Sequence, residues 1–303
     1  MYKRQVQAIV KAGHGNPVLR EIAEPTQDVM DIHATSLNKA DWHAMSGQPF
    51  IMKLFKIPVI GADVAGIPRG GTFEGQRVTA EAGSTSLAGH CEVGSVPDDH
   101  MAPIPASMSF EDAACIPVAG LTALQGLRDW GQLHDGHRVL VNGASGGVGS
   151  FAVQVAKAMG ADVTAVCSAK NVSFVKGLGA DEVWAYDERG LEGAFDVFYD
   201  AAAYRPFQEV MQHVEPNGRY VFVGGSMKLM LPSMTTAKWR YGKRLAGGIA
   251  KPNADDLAQL VSWVAEGTMR VPRTATLSLP EVPDALVRMG EGRTVGKVAV
   301  KIR

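Results

Sequence analysis

The stretch "VLVNGASGGVGSFAVQVAKAMGADVTAVCSAKN", residues 139–171, limits the fold more than any other part of the chain. An apolar strand runs into a glycine turn, a helix follows, and a second apolar strand closes the unit. That order is the context that lifts a glycine motif above chance. "ASGGVG" fits G-x-G-x-x-G with Ala144 in the first slot. Gly146 and Gly147 let the backbone approach a pyrophosphate, and Gly149 lets the helix pack on the strand. N–H groups at the helix start, with the positive end of its dipole, hold phosphates. The segment predicts a dinucleotide site.

The end of the second strand bears on which dinucleotide. An NAD site carries an Asp or Glu about 20 residues on, to hold the ribose 2′-OH. Here the strand ends in "VCSAKN", which has no acid. Ser168 can donate to a 2′-phosphate, Lys170 can supply positive charge, and Asn171 adds a donor. A phosphate dianion prefers such surroundings, and a carboxylate would repel it. NADP is favoured over NAD. The competing reading makes Lys170 a solvated residue at a helix start.

Residues 118–250 alternate helix and strand throughout, which predicts a doubly wound parallel sheet. Residues 1–117 instead hold short apolar runs between turns: "QAIVKAG", "VMDIHATSLN", "QRVTAEAG" and "HCEVGSV" read as strands. Residues 251–303 give a helix, "RVPRTATLSL", a short helix and the closing strand "GKVAVKI". This tail is like the first zone and is expected to complete it. The domains are therefore 1–117 with 251–303, and 118–250.

With 46% hydrophobic and 20% charged residues, the chain can bury a sizeable core. Its net charge of −1, with no basic block, argues against nucleic acid or an anionic membrane as main partner. Cys91, Cys115 and Cys167 are too scattered for a disulfide framework or a zinc ribbon, which fits a reducing compartment. "MYKRQVQAIVKAG" lacks the apolar run of a signal peptide, and no run approaches the ~20 apolar residues of a membrane span. A soluble, cytoplasmic protein is expected.

Larger pieces carry a family likeness. "IPVAGLTAL", "RVLVNGASGGVGSFAVQVAKAMGADV", "LGADEVWAYD", "FDVFYDAA" and "GRYVFVGG" resemble the medium-chain dehydrogenase/reductase superfamily in order and spacing. "ATSLNKADWHAMSG", "IPVIGADVAG" and "GRTVGKVAVKI" are similar to its N-terminal domain and final strand. The resemblance implies an α/β protein: a GroES-like, partly open β-barrel domain with a Rossmann domain inserted, and the nicotinamide and substrate in the cleft between them. The zinc branch has a Cys where this chain has Asn38, and Gly-His-Glu where it has Gly61-Ala62-Asp63. An alanine cannot ligate, and an amide replaces thiolate poorly. The structural zinc lobe is missing too. "GHCE" does not substitute, because His90 and Cys91 as strand neighbours point to opposite faces. "HDGH", 134–137, reads as a surface turn. No metal is expected.

What remains resembles the zinc-free quinone oxidoreductase branch. Without a Lewis acid, an unactivated ketone loses its main polarising aid, whereas a quinone or α,β-unsaturated carbonyl accepts hydride with less help. Carried over residue by residue, the coenzyme contacts fall on Asn38 near the nicotinamide and on Thr122. Gly146, Gly147 and Val148 follow at the pyrophosphate, and Ser168 and Lys170 at the 2′-phosphate. Tyr186 comes near the adenosine, and Gly224 and Gly225 where the coenzyme passes closely. Asp41 holds its loop through backbone N–H groups. His43, where relatives carry Tyr, Lys or Arg, could donate a proton to a developing enolate or hydroquinone oxygen. The plainer reading makes it a partly exposed histidine at the cleft mouth. Trp42, Met45, Met52 and Phe55 could wall an acceptor pocket or simply pack.

Two functions stay open: an NADPH-dependent reductase of quinones or activated alkenes, and a catalytically weak NADPH-binding redox sensor or structural protein. Homodimers are common in the resembled branch. The chain is shorter than typical relatives around "EPTQDVMDI" and "GIPRGGTFEG", which bears on pocket shape more than on coenzyme binding.

Overall fold

The computed structural model describes residues 4–12, 16–46, 59–82, 89–223, 245–292 and 294–303. The chain forms two compact units: Met1–Leu121 with Lys251–Gly267 and Val271–Arg303, and Thr122–Ala250 with Thr268–Arg270.

The second unit is built on a parallel sheet in the order Glu182–Ala185, Asp162–Cys167, Arg138–Asn142, Phe195–Asp200, Val214–Phe222, Leu245–Gly247. Strands covered on both faces are nearly continuous in apolar residues, as "VLV" at 139–141 is, all three fully buried. From Arg138–Asn142 the chain first adds strands on one side, then returns to add them on the other. The reversal lies between Arg138–Asn142 and Phe195–Asp200, and ligands bind such sheets beyond the carboxyl ends of the strands at that point. Asp200, fully buried there, accepts from Asn142 Nδ2 at 2.9 Å, Tyr220 Oη at 3.0 Å and the backbone N–H groups of Ala202 and Ala203. One carboxylate thus ties three strand ends together.

In the first unit, strands follow the order Arg273–Ser278, Lys297–Lys301, Val29–Ser36, Asp63–Pro68, Val78–Glu81, Met101–Pro103, with Val93–Ser95 also paired to Val29–Ser36. All neighbours are antiparallel except Arg273–Ser278 and Lys297–Lys301, which the helix Val282–Gly290 connects. The path does not close on itself among the described residues. A separate antiparallel ribbon joins Gln5–Ala12 to Asn16–Ala23. The core of this unit has two clusters: Met30, Ile32, Val64, Val78 and Met101 belong to one, and Ile9, Leu37, Leu286 and Val300 to the other.

One strand is added to those expected and one is shortened. Asn16–Ala23 is a strand that its sequence does not announce, because only Pro17 in it is buried and its order comes from pairing with Gln5–Ala12. "HCEVGSV" forms a strand only over Val93–Ser95. His90 lies in the bend before it and Cys91 in an isolated antiparallel bridge to Ala8, and both are fully buried. The cause is a close backbone crossing: a Cβ on Gly89 would lie 2.2 Å from Gly61 Cα. His90 N donates to Ile60 O at 2.7 Å, and its carbonyl accepts from Ile9 N.

Candidate coenzyme and hydride-transfer site

The glycine turn begins at Gly143, whose φ of 79° favours a residue without a Cβ. Gly143 and Ala144 both donate to Val166 O, at 3.1 and 3.0 Å, which fastens the turn to the next strand. Gly146 N closes back onto Gly143 O at 3.0 Å. The helix Gly147–Ala158 then starts with no side-chain cap. Its first-turn N–H groups have no partner within the helix, and its dipole places partial positive charge there. Ala144, Gly146, Gly147 and Val148 are thus adjacent at one anion-seeking edge.

The loop after Asp162–Cys167 comes to the same edge: Asn171 Nδ2 donates to Ser145 Oγ at 3.1 Å. Ser168 is buried and Lys170 exposed. A carboxylate that strand-by-strand reading does not reach is also present, since Ala169 N donates to Asp187 Oδ1 at 2.9 Å. Asp187 follows the neighbouring strand, so it meets Ser168–Asn171 through sheet pairing and not through the usual spacing from the glycine turn. Tyr186 is 48% exposed, with the Tyr204 ring 6.4 Å away. The Thr122 carbonyl accepts from Tyr199 Oη at 2.9 Å. Gly224 and Gly225 lie outside the described residues, as do Met52 and Phe55.

In the first unit, Asn38 precedes the helix Lys39–Ser46. Asp41 reaches back to accept from Asn38 N at 2.7 Å, one half of the reciprocal bonding that starts helices. The Asn38 carboxamide is 7% exposed for the residue as a whole, and both its ends are engaged. Its Nδ2 donates to Asp63 Oδ2 at 2.8 Å, and its Oδ1 accepts from Lys297 Nζ at 2.6 Å. Lys297 Nζ also lies 2.9 Å from Asp63 Oδ2. Ser36 Oγ donates to the same oxygen at 2.6 Å, and Val118 N to Asp63 Oδ1 at 2.7 Å. Burying two opposite charges is tolerable only with such complete hydrogen bonding. Lys297 and Asp63 were not among the site residues expected from sequence. The alternation of "GKVAVKI" gave no signal for Lys297, since it sets Lys297 on the same face as Lys301 and opposite Val298 and Val300.

His43 is half-buried on Lys39–Ser46, its ring 4.9 Å from that of Trp42. Trp42 packs so closely against Gly290 that a Cβ there would come within 2.2 Å of Nε1. Met45 is buried in the core with Ile9 and Leu286. Its burial there is packing against the unit's own residues.

Next to Asp63 in register stands Glu81, with one carboxylate oxygen buried and unpartnered. Burial, reinforced by the charge of Asp63, pushes its carboxyl up to about 8. Burial likewise pushes the Cys91 and Cys115 thiols up to about 12 and Cys167 up to about 11, so none offers a thiolate near neutral pH. Among the described residues, no three His, Cys, Asp or Glu side chains gather as a metal-holding group, and no helix is long and apolar enough to cross a membrane.

A family model described as zinc-binding dehydrogenase matches residues 178–300. The chain is 31% identical over 296 residues to the chloroplastic quinone-oxidoreductase QR1 of Triphysaria versicolor, covering 90% of this chain and 89% of that one. It is 31% identical to the trans-enoyl reductase pgmF of Aspergillus terreus over 194 residues, about half of each protein (55% and 52%). The structure of the quinone oxidoreductase from Coxiella burnetii superposes with a TM-score of 0.90 at 26% identity, covering 99% of this chain and 100% of that one. The yhdH oxidoreductase from Salmonella enterica, solved in complex with NADP, superposes with a TM-score of 0.76 at 25% identity, covering 99% and 100%. The glycine turn at the strand-order reversal, the two-unit α/β fold and these likenesses agree: the chain belongs to the medium-chain dehydrogenase/reductase superfamily, as a quinone-oxidoreductase-like member.

Proposed function

We propose that the chain is an NADPH-dependent reductase that delivers hydride to a quinone or an α,β-unsaturated carbonyl without a zinc ion, in the cytoplasm. The observation that carries this reading is the uncapped start of Gly147–Ala158 beside the strand end at Ser168, with Lys170 in the same loop. The residues fit a nicotinamide coenzyme with a phosphorylated ribose. Amides of Gly147 and Val148 would hold the pyrophosphate, and Ser168 and Lys170 the 2′-phosphate. The coenzyme supplies the hydride when bound. Asn38 would touch its reacting end or the acceptor, and His43 would give the hydrogen bond or proton that a developing enolate or hydroquinone oxygen needs.

Although the matching family model is described as zinc-binding, the chemistry at its expected position speaks against a dication here. Asn38 and Ala62 stand in place of ligands, and the Lys297 ammonium already sits 2.6 Å from Asn38 Oδ1. A second cation there would meet direct charge repulsion.

One observation favours a second reading, use of NADH: the Asp187 carboxylate at Ala169 N puts negative charge beside the same loop. The two readings part in one assay, NADPH and NADH oxidation followed across quinones, enones, enals and simple ketones, with and without a chelator. Quinone or enone turnover is expected to show kcat/KM roughly 10-fold or more in favour of NADPH, about one charge-assisted contact. Lys170→Ala is expected to erase most of that ratio. No loss should follow chelation. Equal use of both coenzymes would sink the 2′-phosphate assignment, and tight NADPH binding with no acceptor reduced would favour a sensor or structural role.

A further inference from the structure

The orientation of the Asn38 carboxamide is fixed by the chemistry of its two neighbours. An ammonium only donates hydrogen bonds and a carboxylate only accepts them. Lys297 Nζ lies 2.6 Å from Asn38 Oδ1, and Asp63 Oδ2 lies 2.8 Å from Asn38 Nδ2. Turning the amide over would set NH₂ against ammonium and oxygen against carboxylate, so only one orientation survives. Lys297 and Asp63 are themselves held. Lys297 is 2% exposed and Asp63 0%. Lys297 Nζ also donates to Leu37 O at 3.3 Å, and Asp63 collects bonds from Ser36 Oγ and Val118 N. The Asn38 backbone is fixed independently by Asp41.

We propose that Lys297 and Asp63 are positioning residues that lock the Asn38 carboxamide with its oxygen turned to Lys297, so that it meets a ligand as a hydrogen-bond donor to an oxygen acceptor such as a carbonyl or hydroxyl. An amide nitrogen carries two hydrogens and Asp63 takes one, which leaves the second to donate. The inference rests on the reading that Asn38 touches coenzyme or acceptor. It adds what that contact is and what enforces it: the side chain of the final strand.

Removing Lys297 alone leaves the Asp63 charge buried and uncompensated, so the informative variant removes both charges together, Lys297→Met with Asp63→Asn. The parent, this double variant, Asn38→Ala and the triple combination are compared with NADPH and para-benzoquinone. Melting temperature, NADPH affinity by calorimetry, kcat and KM are read for each. The double variant is expected to fold and to bind NADPH within about three-fold of the parent, while kcat falls roughly 10- to 100-fold, the usual effect of a slightly misplaced contact group. The triple variant is expected to be no slower than the double, since the pair acts through Asn38. Lys297→Gln with Asp63→Asn is the second variant if the first double does not fold. Both new amides donate and accept, so neither dictates the Asn38 orientation, and the same loss of kcat is expected. A folded double variant of either kind with parental kcat overturns the inference, as does a full multiplication of losses in the triple. A parent that binds NADPH but reduces no acceptor overturns the reductase reading itself and this inference with it, whereas an active parent with an equally active double variant overturns the inference alone.

Discussion

Gly149→Val is expected to lose most of the second unit's stability and its coenzyme binding together. A Cβ at Gly149 would lie 2.2 Å from Gly143 O, 2.8 Å from Gly143 C and 2.9 Å from Ala144 Cα. All three are backbone atoms, so no side chain can swing aside. The helix Gly147–Ala158 would have to lift off its strand, opening the packing of Phe151 and Val153, both fully buried. Overpacking of this kind costs about 3 kcal/mol or more when backbone must move. For a unit of this size that lowers Tm by roughly 10 °C. The displaced helix start would also take its N–H groups away from the phosphates of the proposed coenzyme. Gly146→Ala is the contrast: its Cβ would meet only Gly143 O, at 3.4 Å, an ordinary contact. That variant is expected to keep its Tm within a few degrees. Calorimetric melts with an NADPH titration check both, and a Gly149→Val protein melting with the parent would refute the packing argument.

Glu81→Gln is expected to stabilise the protein, and only above mildly acidic pH. The folded carboxyl sits near 8 because it is buried beside Asp63, against an ordinary value of 4.5. Below about 4.5 it is protonated in both states and takes nothing from stability. As pH rises from there towards about 8, the unfolded chain releases the proton and the folded one retains it. Each pH unit in that window removes about 1.4 kcal/mol of stability, and the loss levels off above it. Glutamine cannot ionise and escapes this loss, less what its own buried NH₂ forfeits if it finds no acceptor. The advantage of the variant should be near zero at pH 4.5 and on the order of 3 kcal/mol at pH 8. Urea unfolding at several pH values measures it, and a gain independent of pH would exclude the assigned cause.

What was legible from the sequence was local. Strand, turn and helix at 138–158 follow from a continuous apolar run, glycines where backbone crosses backbone, and an apolar helix, all within a few residues of one another. Asp41 could be assigned to its loop because its partner is three residues away. The rest of the site is non-local. Lys297 lies 259 residues from Asn38 and 234 from Asp63, and no periodicity links positions so far apart. Asp187 reaches Ala169 only through the pairing of Glu182–Ala185 with Asp162–Cys167. The strand expected over "HCEVGSV" is cut to Val93–Ser95 for a related reason: the glycines at 61 and 89 signal a crossing, but which backbones cross is a tertiary fact.

The distance along the chain between Asp63 and Lys297 also has a meaning in time. A ribosome adding about 5–20 residues per second needs on the order of 10–50 s to travel from one to the other. Through that interval the newborn N-terminal strands hold a carboxylate whose counter-ion has not yet been made. They can finish only after Lys297 has been made, whereas the second unit, whose last segment is Thr268–Arg270, already has all its residues by then.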